Sequence, residues 1–430
     1  MNTPPHDGGS PAIRPPSVTR FGINAFATSI LLAVLFALRA KVFHVGDPTL
    51  VVCAAYVLPV VLLDVALLRV HRRSTTDIDW DKPFSPDADR IATKLVGLAA
   101  TLAPFALAYW VFPEYQGAFY DPFYRLVRRF APTFVTLAVT YFALVDGYAR
   151  DPFDVYWLLG RAVLRRADRA GRDELARHYR GWLVKAYFLA LFWVWLSNST
   201  RDVLAYDLSG ASWSNLRAYD FVSKVVFFVD LVLATVGYAM TYRALDTHIR
   251  SAEETMLGWA VALVCYDPFF RGLFEKQYLD YGGAYFGNWL SPYPTLRWIW
   301  AGAIVLLFAV YVLATVAFGV RFSNLTHRGI ITSGPYRFTK HPAYVAKNLS
   351  WWLVSVPYVA NDGAAAAVRR CLLLGAMNFI YFTRARTEER HLSRDPAYVA
   401  YARWIDEHGA LRFLGRIPFL RFQAPAPPAQ

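Results

Sequence analysis

Long apolar runs separated by short polar or basic breaks dominate the 430-residue chain. The run from Phe21 to Ala40 has the length a helix needs to cross the hydrocarbon core, and further runs follow at Leu50–Leu68, Ile91–Val111, Pro132–Val145, Gly181–Leu196 and Phe221–Tyr242. A short run at Met256–Cys265 reads as a partial or re-entrant segment; Leu296–Val320, the strongest, is followed by Val345–Val359 and Ala367–Phe382, joined by the polar turn NDGAA. The pattern predicts an all-α, polytopic transmembrane protein of about ten spans. Residues 1–19, rich in Pro, Gly and Ser, and the tail 422–430 carry too little apolar surface to fold and are expected to be disordered. Between them lie a transmembrane scaffold over 20–293 and a C-terminal core over 294–421. The first run is expected to be a span and not a cleaved signal, since it is long and no small-residue cleavage site is evident in it.

Composition agrees with the pattern. Apolar residues make up 56% of the chain and charged residues 18%, and the 14 Trp, 31 Phe and 26 Tyr supply interfacial anchors. The mean hydropathy is +0.27. A net charge of +13 would suggest nucleic acid in a soluble protein, but the basic residues here flank apolar runs. That placement predicts membrane topology and contact with anionic membrane lipids. Basic residues at 71–73, 150–180, 321–340 and 384–394 fall on one side of a ten-span arrangement. Both termini are then expected in the cytoplasm, with the protein in a bacterial-type inner membrane. The stretch 150–180, with eight Arg against five acids, predicts one or two amphipathic helices on that surface. Cys53, Cys265 and Cys371 lack metal or CxxC spacing and read as small buried hydrophobes. With no Walker sequence, no GxGxxG and no paired His-Cys spacing, neither nucleic acid nor metal is an expected partner.

The sequences AFYDPFYRLVRRF (118–130) and VCYDPFFRGLFEKQY (264–278) share a YDPF core. In both, the Asp-Pro pair is expected to stop a helix and leave an aromatic-basic segment at the interface, as in a duplicated scaffold.

Two clusters carry candidate chemistry. Arg321, His327, Arg328, Arg337, Lys340 and His341 follow the strongest run without an acid among them, a turn suited to an anionic ligand or, equally, the basic collar of any span. After the last run, Arg384, Arg386, Glu388, Glu389, Arg390 and His391 follow with helical spacing, so that Arg384 and Glu388 share a face. A carboxylate and a guanidinium there suit the two charges of an amino-acid-like group. The apolar hairpin between the clusters is expected to bring them together on one side of the membrane.

GPYRFTKHPAYVAKN followed by TRARTEERHLSRDPAYVAYARW resembles the C-terminal core of the integral-membrane methyltransferase superfamily, which contains isoprenylcysteine carboxyl methyltransferases and phospholipid N-methyltransferases. The resemblance covers about residues 321–415 and implies an S-adenosylmethionine (SAM) site. It implies that His341, Pro342 and Tyr344 line the cofactor pocket and that Tyr336 and Arg337 shape the turn before it. Glu388 and Glu389 would hold the methionine amino end or order the pocket, and Arg384 would lie near the reacting group or the cofactor carboxylate. Arg384, Glu388 and His341 are thus the candidate catalytic residues. Many relatives carry Gly shortly after the Tyr of HPxY, where this chain has Ala346 and Lys347. The implied activity is SAM-dependent methyl transfer to a lipid or lipidated acceptor, either an isoprenylcysteine-like carboxylate or an amine headgroup. Two alternatives remain open: an NADPH-dependent membrane reductase of the sterol type, and a transporter with Asp64, Asp230 and Arg243 on its pathway.

Overall fold

The structure, a computed structural model, describes residues 14–165, 171–275, 279–413 and 421–422. The expected disordered ends at 1–13 and 423–430, and 166–170 within the Arg-rich stretch, lie outside the described residues. The described part of the polar N-terminus is held in place: Val18 N donates to Ile330 O at 3.1 Å and the Thr332 hydroxyl to Pro15 O at 2.9 Å. The chain forms two compact units, one of Gly22–Glu254 with Phe318–Arg328, the other of Met1–Phe21, Thr255–Ala317 and Gly329–Gln430.

In the first unit α1 (Phe21–Arg39), α2 (Pro48–Leu68), α3 (Ala88–Val111), α4 (Asp121–Tyr148), α5 (Val155–Val163), α6 (Arg172–Ala205) and α7 (Arg217–Ala239) follow in order. Asp47, Asp87 and Asp154 cap α2, α3 and α5 by accepting from Leu50 N, Arg90 N and Trp157 N. The α3–α5 contact depends on glycine. A Cβ on Gly97 would stand 1.8 Å from Tyr156 O and one on Gly160 1.9 Å from Thr93 O, so only glycine lets the two backbones touch. Ser251–Ala252 (β1) pairs antiparallel with Thr326–His327 (β2).

The second unit holds α8 (Met256–Leu263), α9 (Phe286–Trp289), α10 (Pro294–Phe318), α11 (Pro342–Ser355), α12 (Ala364–Leu392) and α13 (Pro396–His408). Among the described residues seven helical segments are long and apolar enough to cross a membrane: α1 to α4, α7, α10 and α12. This is an integral membrane protein, and the expectation of ten spans is not met. The run at Met256–Cys265 forms only the eight residues of α8, and the run at Val345–Val359 only the fourteen of α11, about 21 Å at 1.5 Å per residue. The run at Gly181–Leu196 sits inside α6, whose 34 residues carry charged turns that dilute its hydropathy. Yet Arg180 near its start pairs with Glu254 at 3.3 Å, and Arg39 at the end of α1 donates to Val203 O at 2.6 Å near its finish, so α6 runs between the two ends of its unit.

The YDPF segments do not match. Asp121 and Pro122 open α4 instead of ending a helix, because a missing N–H costs nothing in a first turn, whereas Asp267–Pro268 follows the end of α8.

Two arginines of the basic turn, which the sequence left open between an anionic ligand and a basic collar, serve the scaffold. Arg321 is 2% exposed and meets Asp64 at 3.2 Å and Asp246 at 4.0 Å. Arg328, 3% exposed, directs all five N–H groups at carbonyls: Nε to Thr247, one terminal nitrogen to Gly237 and Phe322, the other to Met240 and Val320, at 2.7 to 3.1 Å. It closes the C-terminal end of α7, where carbonyls have no helical partner. The Arg328→Met variant is expected to lose at least about 3 kcal/mol of stability, and Arg328→Lys to recover only part of it, since an ammonium has three donors in a different geometry. Thermal unfolding in detergent measures both, and a melting temperature unchanged in Arg328→Met would contradict the assignment.

Of the transporter candidates, Asp64 holds Arg321, Arg243 lies 3.2 Å from Asp77, and Asp230 is buried in α7. Asp246, outside the membrane segments, is fully enclosed. Burial raises its carboxyl, but hydrogen bonds from Thr75 and Arg73 and the charges of Arg250 and Arg321 outweigh that and lower its pKa below the usual value of 3.8. A lowered carboxylate stabilises the fold above its unfolded pKa and loses that contribution as pH falls through the folded one. Unfolding on acidification below about pH 4 is therefore expected to weaken in Asp246→Asn, which is also less stable at pH 7; parallel acid titrations of the two proteins followed by intrinsic fluorescence check this.

Candidate functional site

The site begins at the turn Gly334–Arg337. Gly334 has φ +62°, and a Cβ there would meet the Phe21 ring at 2.6 Å, so glycine is required on both conformational and steric grounds. His341 is the residue before α11 and Pro342 its first residue, a position that needs no N–H. Tyr344 follows in the first turn. On α12, Tyr381, Arg384 and Glu388 fall at i, i+3 and i+7 and share one face, while Glu389 stands beside them.

Glu389, 6% exposed, joins the two motifs. One oxygen lies 3.1 Å from His341 Nε2 and 3.0 Å from Lys340 Nζ, and the other accepts from Arg386 at 2.8 Å. Lys340 also reaches Asp406 of α13 at 3.3 Å. This carboxylate is already occupied by three basic side chains and orders them.

Glu388 is placed differently. The Tyr344 hydroxyl donates to it at 2.7 Å, the one hydrogen bond to that carboxylate among the described residues. Desolvation pushes the Tyr344 phenol well above its ordinary pKa, Arg384 opposing and Glu388 reinforcing the shift, so the group remains a donor at neutral pH. Its ring stacks on His341 with centroids 5.5 Å apart and planes 4° from parallel. Arg384, 6% exposed, lies over the rings of Tyr344, Tyr381 and Tyr266 at 5.3, 5.7 and 5.6 Å. The planar guanidinium suits such stacking better than an ammonium would.

Behind this front, the Asn378 amide donates to Asn348 Oδ1 at 2.5 Å and accepts from Trp352 Nε1 at 2.7 Å, while Asn348 donates to Tyr344 O at 2.7 Å. These bonds lock α11 to α12 one turn from Tyr344. Lys347, at the departure from the family pattern, extends over the rings of Tyr311, Trp351 and Tyr381 at 5.4 to 5.6 Å.

The structure thus gathers His341, Tyr344, Arg384, Glu388 and Glu389. Tyr336 is set by its neighbours: Tyr401 Oη donates to its carbonyl at 2.7 Å. Pro342 is buried in the first turn of α11. Arg337 is exposed, with its guanidinium 5.6 Å over the Phe338 ring, and does not join the cluster; a turn residue beside a site need not face it. His391 is buried on α12. Sequence reasoning did not single out Asn348, Asn378, Tyr381 or Tyr266 as site residues. Two asparagines inside apolar runs were a readable signal, because an amide in a membrane seeks a partner, and Tyr381 follows from helical spacing to Arg384. Tyr266 gave none, since its approach depends on α8 packing against α12.

No curated protein and no solved structure matches the chain. Residues 296–394, which hold His341, Tyr344, Arg384, Glu388 and Glu389, do match a family model, and the C-terminal domain is accordingly a match to the isoprenylcysteine carboxyl methyltransferase (ICMT) family.

Proposed function

We propose that this protein transfers the methyl group of SAM to a lipid or other membrane-partitioned acceptor, with the site at the C-terminal end of α12. The observation that carries this reading is the pairing of two motifs, His341 with Glu389 and Tyr344 with Glu388, within the segment that matches the ICMT family. The donor set fits the cofactor. Glu388 has hydrogen-bonding capacity left for an ammonium, Arg384 carries the charge a carboxylate requires, and the stacked His341–Tyr344 pair offers a flat surface to a ring or a sulfonium. When bound, SAM supplies an activated methyl group and its own leaving group.

The task left to the chain is positioning. Direct displacement needs acceptor, methyl and leaving sulfur in line and water kept out. Tyr344 holds the Glu388 carboxylate in one rotamer, Glu389 holds His341 and Lys340 at the mouth of α11, and the tyrosines around Arg384 keep its charge in a poorly hydrated setting where it acts strongly on an anion. An ionised carboxylate acceptor needs no base; an amine acceptor would lose a proton, for which His341 is the base we propose. The roles divide the acidic pair: Glu388 faces the cofactor and Glu389 orders the side chains around it. We also place this end of α12 at the cytoplasmic surface, where Arg384, Arg386, Arg390 and Arg394 follow the apolar part of the helix.

The test is incubation of the purified chain, in its co-extracted lipid, with methyl-labelled SAM, followed by mass identification of labelled lipid and by parallel binding of labelled SAM and NADPH. Label in a lipid and binding of SAM alone are expected; NADPH binding without SAM binding would overturn the reading. Tyr344→Phe keeps the ring over His341 but frees Glu388. Its KM for SAM is expected to rise roughly tenfold, the equivalent of one charge-assisted hydrogen bond, with kcat changed less; steady-state kinetics at varied SAM reads the split.

A further inference from the structure

Arg125, Arg128 and Arg129 fall at i, i+3 and i+4 in the first two turns of α4 and therefore lie on one face of the helix. All three are exposed. The start of the helix is anchored: Trp193 Nε1 donates to Pro122 O at 3.1 Å, Tyr124 Oη donates to Tyr115 O at 2.8 Å, and Tyr120, just before the helix, packs with Ala190 and Val194. A rigid element thus presents three like charges within two helical turns, an arrangement that repels itself unless an anion joins it.

Three other basic residues at this end of the unit are matched. Arg39 donates to Val203 O and Tyr206 O, Arg217 lies 3.9 Å from Asp207, and Lys224 lies 3.9 Å from Asp202. Among the described residues no carboxylate comes within 4.0 Å of the three α4 arginines.

Their depth identifies the anion. The far end of α4 is fixed by the bridge between Ile78 and Ala149, beside the basic loop that follows α2. From Phe130 to Tyr148 the helix rises roughly 27 Å at 1.5 Å per residue, close to the hydrocarbon thickness of about 30 Å. The arginines consequently stand at the headgroup level of the opposite leaflet. Below them the helix turns apolar and open: Val135, seven residues on from Arg128 and so on the same side, is 60% exposed, and Phe134 is 50% exposed. Guanidinium groups at the phosphate level above an exposed apolar flank complement a molecule with a phosphate head and acyl chains.

We propose that Arg125, Arg128 and Arg129 form a binding site for the phosphate of an anionic phospholipid, whose acyl chain lies along the α4 face below them. The site holds a structural lipid, is independent of the methyl-transfer reading, and belongs to the leaflet at the N-terminal end of α4.

The full chain, exchanged into phosphatidylcholine nanodiscs, is titrated with phosphatidylglycerol, with further phosphatidylcholine, or with inorganic phosphate, and bound lipid is counted by native mass spectrometry beside thermal unfolding. The expected result is retention of phosphatidylglycerol with a raised melting temperature, no response to the other two, and roughly fivefold weaker retention for each arginine changed to glutamine. Arg217→Gln, which alters a paired charge at the same end, is expected to retain lipid like the wild type. If the triple variant does not fold, the single variants Arg125→Gln, Arg128→Gln and Arg129→Gln give the graded loss. Equal retention in wild type and variants, or an equal thermal response to inorganic phosphate, would overturn the proposal.

Discussion

Replacing Glu389 with alanine is expected to remove SAM binding and methyl transfer together, by about 100- to 1,000-fold, the equivalent of roughly 3 to 4 kcal/mol. Glu389 is buried and receives His341, Lys340 and Arg386 on its two oxygens. Without it three basic groups face one another across a poorly hydrated space, and the least constrained of them swings away. His341 then loses its contact with α12, and the Tyr344–Glu388 bond is left to join the HPxY segment to that helix. Glu389→Gln keeps the shape but not the charge and should fall between the two. Equilibrium binding of labelled SAM separates the effect from simple unfolding when read beside the melting temperature. Wild-type affinity in Glu389→Ala would refute the ordering role.

The second large effect is expected at Arg384. Arg384→Met is predicted to lower kcat/KM at least about 100-fold, since it withdraws a charge that the surrounding tyrosines hold in place and that water cannot replace. Arg384→Lys retains the charge but not the flat contact with Tyr266, Tyr344 and Tyr381, and is expected to recover less than a tenth of the activity. Dissociation constants for SAM measured beside the kinetics distinguish two roles. If binding falls in step with kcat/KM, Arg384 acts on the cofactor carboxylate; if binding is kept, it acts on the acceptor. Near wild-type activity in both variants would remove Arg384 from the site.

The parts of the molecule that were legible in the sequence are those set by local chemistry. Apolar runs of sufficient length became α1, α2, α3, α7, α10 and α12, and the HPxY and Glu-Glu motifs met because a turn and a helix of fixed spacing put them within reach. Length was misjudged where hydropathy continued past the point at which the helix stops. α8 ends at Leu263, ahead of Tyr266-Asp267-Pro268, and α11 ends at Ser355, where Val356 takes a left-handed φ of 35° directly before Pro357. The roles of Arg321 and Arg328 stayed open for another reason: a basic residue after a span looks alike whether it meets water, a ligand or the protein's own carbonyls, and only burial separates the three. The contact of Tyr266 with Arg384 required a packing of α8 on α12 that no short pattern encodes.

The modest length of α11 has a consequence for the surroundings of the site. At about 21 Å it is shorter than the hydrocarbon layer it borders, and its far end is covered from within the unit, where a Cβ on Gly283 would stand only 2.4 Å from Ser355 O. Lipid next to α11 has to shorten or tilt its chains to meet that edge. α11, with Val345 and Leu349 exposed, thus offers a short apolar edge beside the proposed site, and acyl-chain length becomes a variable that sets how easily a hydrophobic molecule reaches it.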